Sequence, residues 1–145
     1  MQNVPVPTIL SLDVGDSRIG VAKASLQVSL AFPCEIVAHD DRVLEQLKLL
    51  WQREHAIAIV VGLPRNLQGE ATEQTKKTEA FIDRLSKVYP GPIFTQDEAG
   101  TSQKATAELS SNKRPQHPND AIAATYILED FMQEPAYHDL LNKIR

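Results

Sequence analysis

Cysteine is almost absent: Cys34 is the single one in 145 residues. That excludes an intramolecular disulfide and a multi-cysteine zinc site, and leaves Cys34 as a packed residue of an extended run. Long apolar runs are missing too, and none approaches the roughly 20 residues a spanning helix needs. Met1 to Pro7 lacks the basic and apolar regions of a signal peptide, so the expected location is cytoplasmic, with no membrane partner. Basic residues are outnumbered, 15 Lys and Arg against 19 Asp and Glu, for a net charge of −4. Gripping nucleic acid by bulk charge is therefore disfavoured, and local charge has to do that work. The four histidines, His39, His55, His117 and His138, show no metal-ligand spacing and read as surface residues. There is no internal repeat and no low-complexity segment. What remains is 42% hydrophobic and long enough for one domain over residues 1–145, with 1–7 and 135–145 read as tails.

The stretch Ile9 to Ala22 organises the chain. It reads as a strand, a tight turn at Gly15, and a second strand over Ile19 to Ala24. Asp13 stands at the tip of a strand otherwise dressed for burial, where an unpaired carboxylate costs free energy. It is either a ligand for a metal ion or phosphate, or a turn former bonded to its own backbone.

Val28 to Val37 predicts a third strand, at an edge or bulged because of Pro33. Asp40 or Asp41 offers an N-cap for a helix whose stripe is Val43, Leu44, Leu47, Leu50 and Trp51. Ile57 to Gly62 reads as a strand covered on both faces. A loop over Gly62 to Gly69 follows, then a helix over about Ala71 to Tyr89, packed by Phe81, Ile82, Leu85 and Val88. The polar first half of that helix is expected to project past the sheet. Ile93 to Gln96 predicts a short strand, and Thr101 to Ser110 a helix with Ala105 and Leu109 inward. Ser111 to Pro118 reads as a basic loop. A last helix runs from Asn119 or Asp120 to about Gln133. The order predicts a mixed α/β sheet of about five strands, an antiparallel meander plus two parallel strands, with helices on both faces. That pattern is compatible with a ribonuclease-H-like fold.

Three acids stand at element ends: Asp13 ending the first strand, Glu98 after the last strand, Asp120 opening the last helix. Brought together, they would suit two divalent ions about 3.5–4 Å apart, acting on a phosphodiester. Mg²⁺ prefers carboxylate oxygen and keeps waters, so few protein ligands suffice. Taken singly, Asp120 reads as a helix cap and Glu98 as a solvated acid. Asp97 and Glu98 alternate in an extended strand, so only one of them faces such a site.

Leu12-Asp13-Val14-Gly15 with Arg18-Ile19-Gly20-Val21-Ala22 forms the first of four motifs. Val60-Val61-Gly62-Leu63-Pro64 with Asn66 and Gly69, then Asp97-Glu98, then Asp120-Ala121-Ile122-Ala123-Ala124 with Ile127-Leu128 complete the set. In order and spacing, from about Ile9 to Phe131, the chain resembles the YqgF family. Its members are described as Holliday-junction-resolvase-like proteins and as nucleases for the precursor of small-subunit ribosomal RNA. The resemblance implies a ribonuclease-H-like fold and a metal-dependent nuclease using Mg²⁺ or Mn²⁺, one or two ions. It places the catalytic and metal-binding acids at Asp13, Glu98 and Asp120. Around them it sets Arg18 and the Leu63 to Gly69 loop, including Arg65 and Asn66. Lys113 and Arg114, just before Asp120, are the further candidates for substrate phosphates. The expected partner is nucleic acid, structured RNA or branched DNA, bound by a monomer or homodimer. Where the family usually follows its Asp-Glu pair with arginine and leucine, this chain has Ala99 and Gly100. A planar donor fork suited to phosphate is thereby absent from that position.

Two other classes compete. Actin-like and sugar-kinase domains also begin with Asp-x-Gly after a strand, but 145 residues leave no second lobe to close over a nucleotide. A non-catalytic RNA or ribosome-assembly binder is the other, and metal-dependent cleavage discriminates it from a nuclease.

Overall fold

The computed structural model describes residues 6–99 and 119–144. The chain opens with β1 (Thr8–Val14), β2 (Arg18–Ser25) and β3 (Ala31–Ala38). It continues through α1 (Val43–Arg53), β4 (Ala56–Arg65), α2 (Glu73–Ser86) and β5 (Ile93–Ala99). It closes with α3 (Asp120–Phe131) and α4 (Pro135–Ile144). The strands form one sheet in the order β3-β2-β1-β4-β5. β1, β2 and β3 pair antiparallel as the expected meander, while β4 joins β1 and β5 joins β4 in parallel. The expected helix over Thr101 to Ser110 and the loop over Ser111 to Pro118 lie outside the described residues.

Alternation along the strands sorts the core into two layers. Leu10, Leu12 and Val14 of β1 meet Ile59 and Val61 of β4 under α1 and α2, where Leu47, Trp51, Phe81 and Leu85 complete the packing. Ile9 of β1 and Ala58 and Val60 of β4 face the other way, under Leu128 and Phe131 of α3 and Tyr137 of α4. The residues expected at 135–145 as a tail are thus largely a packed helix. It was faint in the sequence because Tyr137 is its one fully buried residue.

Pro33 sits where a sequence rule puts it. β3 is an edge strand, and its register shifts against β2 between Val21 and Ala22, which pair with Glu35 and Pro33. Cys34 is the bulged residue; burial and the nearby Glu54 push its thiol upward, so it stays protonated.

Several boundaries differ from expectation. β4 does not stop at Gly62. It runs to Arg65 along β5, and since its pairing with β1 ends at Val61, Pro64 lies where only one side is paired. β5 likewise runs through Ala99, which puts Glu98 inside the strand rather than after it. The N-cap of α1 is Arg42, with no side-chain cap, and Asp40 Oδ1 instead accepts from the Arg42 amide at 2.9 Å. α2 starts later and ends earlier than expected, Val88 is exposed, and Tyr89 is buried in its place.

The polar first half of α2 does not project. Thr75 and Thr78 are fully buried because every hydroxyl is matched. Thr72 and Thr75 form a reciprocal capping box, Thr75 Oγ1 donates to the Pro64 carbonyl, and Thr78 Oγ1 donates to Gln74 O at 2.9 Å. α2 is thereby fastened to the end of β4. Thr75→Val keeps the volume but strands the Pro64 carbonyl and the Thr72 amide. We expect a loss of about 2 kcal/mol, measured as a lower urea midpoint at an unchanged slope. A midpoint equal to that of the parent would contradict the role given to this hydroxyl.

Candidate active site

The site starts from a missing side chain. Gly20 of β2 is the register partner of Asp13 on β1. A Cβ at Gly20 would overlap the backbone carbonyl of Asp120. The first turn of α3 therefore lies directly on the sheet beside Asp13. A second gap at Gly62 of β4 is filled by Ile127 of the same helix. Ser11, one step before Asp13 on the same face, donates from Oγ to Ala124 O at 2.6 Å and ties the helix to β1. Asn119 is the N-cap and accepts from the Ile122 amide at 2.9 Å. Asp120 is thus free of capping duty and sits at the positive end of the helix dipole, which favours its charge.

Asp13 and Asp120 consequently lie close enough for the charge of one to act on the other. Burial first, and the Asp120 charge second, push the Asp13 carboxyl from 3.8 up to about 6. On the outer side, Arg18 Nε lies 2.9 Å from Asp120 Oδ2. Two neighbouring carboxylates, one of them half-buried, form an oxygen donor set that fits a hard divalent cation.

Glu98 stands on the same face, since Phe94 of β5 packs under α3 and Glu98 follows at even spacing. It is two strands away from Asp13, about 9.5 Å across the sheet. Pairing with Pro64 also sets it further toward the C-terminal ends of the parallel strands. Among the described residues no three His, Cys, Asp or Glu side chains gather closely enough to hold a metal ion. Asp13 and Asp120 are thus brought together, and Glu98 flanks them.

The flanking basic residues divide. Arg18 borders the acid pair. Arg65 is held on the opposite face, with Nε 3.1 Å from Asp97 Oδ1, and stands in register with Ala99. Asn66 organises the turn after β4: its Oδ1 accepts from the amides of Gln68 and Glu70 at 3.0 and 2.8 Å. Lys113, Arg114 and His117 lie outside the described residues. His39, expected on the surface, is half-buried. Its Nδ1 bonds Gly15 O at 2.7 Å, and its ring packs edge-on against Phe81. Gln74, which no sequence pattern singles out, donates from Nε2 to Val14 O at 3.1 Å.

A family model described as RuvX, Holliday junction resolvase, matches residues 7–134. The chain belongs to the RuvX family. This is the YqgF family of the motif resemblance. A relative from Sulfurihydrogenibium sp. (strain YO3AOP1), named "Putative pre-16S rRNA nuclease", is 32% identical over 133 residues, covering 89% of this chain and 92% of the relative. The protein of the same name from Rickettsia bellii (strain OSU 85-389) is 33% identical over 132 residues, covering 87% and 86%. Among solved structures, T. thermophilus RuvC in complex with Holliday junction substrate matches 87% of this chain and 94% of its own with a TM-score of 0.54. Sequence identity there is 10%, so the likeness is one of fold. The described RuvX-family helices include none long and apolar enough to cross a membrane.

Asp13 makes the fold of this RuvX-family chain pH-sensitive. Its carboxyl titrates at 3.8 when unperturbed and at about 6 in the fold, so its ionisation opposes folding once the pH exceeds the lower value. The opposition is complete above the upper value and amounts to roughly 3 kcal/mol. Asp13→Asn removes it. In metal-free buffer, the variant should gain stability over the parent as the pH rises from about 4 to about 7, with little difference at the acid end. Thermal melting across that range reads the gap, and a gap independent of pH would contradict the burial of an ionisable group here.

Proposed function

We propose that the protein is a metal-dependent nuclease that hydrolyses phosphodiester bonds in the precursor of 16S ribosomal RNA. The observation that carries this reading is the Asp13–Asp120 pair, a half-buried carboxylate set against a second one at the tip of the central strand. RuvX-family membership and the names of the relatives supply the substrate class.

Asp13 and Asp120 would hold the cation, Mg²⁺ or Mn²⁺, with Glu98 approaching from β5. When bound, a divalent ion polarises the phosphoryl oxygen and lowers the pKa of its water. The protein's own part is positional. The sheet fixes Asp13, the absent Cβ at Gly20 sets Asp120 against it, and the α3 dipole favours negative charge at that spot. Arg18 offers a planar guanidinium group beside the acid pair, and such a fork matches phosphate oxygens better than lysine does; Arg65 lies on the opposite face, paired with Asp97. Arg65 also stands across from Ala99, so a cation is supplied from β4 near the position where the family's arginine is absent. The second turn of α2 adds Lys77, whose Nζ lies 3.5 Å from Asp16 on the same tip.

The test is cleavage by purified protein of precursor-rRNA ends and of four-way DNA junctions, with Mg²⁺ or Mn²⁺ and with EDTA. RNA should be cut in the presence of metal, with EDTA and Asp13→Asn each abolishing the reaction while the variant stays folded. Junction cleavage without RNA cleavage would move the substrate to branched DNA. Loss of neither activity in Asp13→Asn would remove Asp13 from the mechanism, and absence of all metal-dependent cleavage would overturn the nuclease reading.

A further inference from the structure

The turn between β1 and β2 carries Asp13 on one side and Arg18 on the other, so its shape sets the distance between them. Within the turn, the Gly15 amide donates to Arg18 O at 2.8 Å. That bond closes the hairpin and leaves the carbonyls of Val14 and Gly15 pointing outward. Two side chains from distant elements take them. Gln74, in the first turn of α2, donates from Nε2 to Val14 O at 3.1 Å. His39, just after β3, bonds Gly15 O through Nδ1 at 2.7 Å. A carbonyl only accepts, so Nδ1 carries the proton. The His39 amide also donates to Ser17 O at 2.9 Å. The imidazole is held in turn by Phe81 of α2, ring centroids 5.3 Å apart at 71°.

From this arrangement we infer that His39 and Gln74 are positioning residues of the active site. They clamp the two consecutive backbone carbonyls that follow Asp13 and so hold its carboxylate against Asp120. The inference rests on the nuclease reading above. Neither side chain reaches the acids. Their effect passes through the Val14–Gly15 backbone, and both lie on the layer opposite α3. Without the clamp, the turn keeps its internal bond, the His39 amide on Ser17 O and the Lys77–Asp16 pair, but nothing holds the Val14 and Gly15 carbonyls, and the Asp13 carboxylate loses its fixed setting. A displacement of even an ångström at such a group lowers turnover strongly.

Two substitutions separate the donor from the packing. His39→Leu keeps an apolar contact with Phe81 and removes the donor. His39→Asn places an amide N–H near the former Nδ1 and removes the ring. For His39→Leu we expect kcat to fall about tenfold or more at an unchanged KM. Binding of Mn²⁺, measured by calorimetry, should weaken roughly tenfold. His39→Asn should recover most of both while melting at a lower temperature. Gln74→Met, on a different element, should move kcat and Mn²⁺ affinity in the same direction as His39→Leu, and it carries the test if that variant fails to fold. Parental kcat and Mn²⁺ affinity in His39→Leu and Gln74→Met, whatever their melting temperatures, would overturn the inference. If the parent neither cleaves nor binds Mn²⁺, the nuclease reading falls, and hydrogen exchange at the Gly15 amide then decides the clamp. Faster exchange in His39→Leu supports it, and an unchanged rate refutes it.

Discussion

The way α3 lies on the sheet depends on two side chains that do not exist. At Gly20 and Gly62 a Cβ would collide with the helix, at the Asp120 backbone in one case and at Ile127 in the other. Glycine is required here for the space it leaves, since both positions sit within regular strands. Given that seat, the rest follows by contact. Ser11 bonds Ala124, Phe94 meets Phe131 at 5.1 Å, and the second core layer closes beneath α4. Asp120 is delivered to Asp13 by the same contact, so the packing of the domain and the geometry of its acid pair are one constraint.

That constraint has an electrostatic cost. A carboxyl pushed up to about 6 by burial and a neighbouring acid is a group the fold would be more stable without. Such conflicts between local chemistry and stability concentrate where a ligand resolves them. Here the surrounding structure is tied at several points. β1 is the central strand, α2 is capped onto the end of β4 by paired threonines, and His39 and Gln74 hold the turn from the layer opposite α3.

Much of this was legible in residues alone. Two-residue alternation and short links marked the meander, Pro33 marked an edge with a bulge, and an unbroken apolar run marked β4 as internal. Placement at element ends nominated Asp13, Glu98 and Asp120 alike, yet Glu98 stands two strands from Asp13, a separation that depends on strand order and not on local pattern. Other features depend on partners far away in sequence. Thr75 and Thr78 look like solvent-facing residues until the Pro64 carbonyl and the helix backbone are in place. His39 and Gln74 act on backbone carbonyls 24 and 60 residues away, which carry no side-chain signature to match. Strand lengths were underestimated for a related reason. Gly62, Leu63 and Pro64 read as loop punctuation, yet pairing with β5 holds them extended through Arg65. The motif resemblance and the family match agree over nearly the whole chain, and they add the chemistry that pattern alone leaves open.

The claim on which the account turns is that Asp13 and Asp120 together form a divalent-cation site. Crystals grown with Mn²⁺ and measured for its anomalous scattering test it without reference to any substrate. The account predicts an anomalous peak between the two carboxylates, within direct coordination of both and lost in Asp13→Asn. Mn²⁺ bound elsewhere on the chain, with Asp13 and Asp120 making no contact to it, would contradict the account.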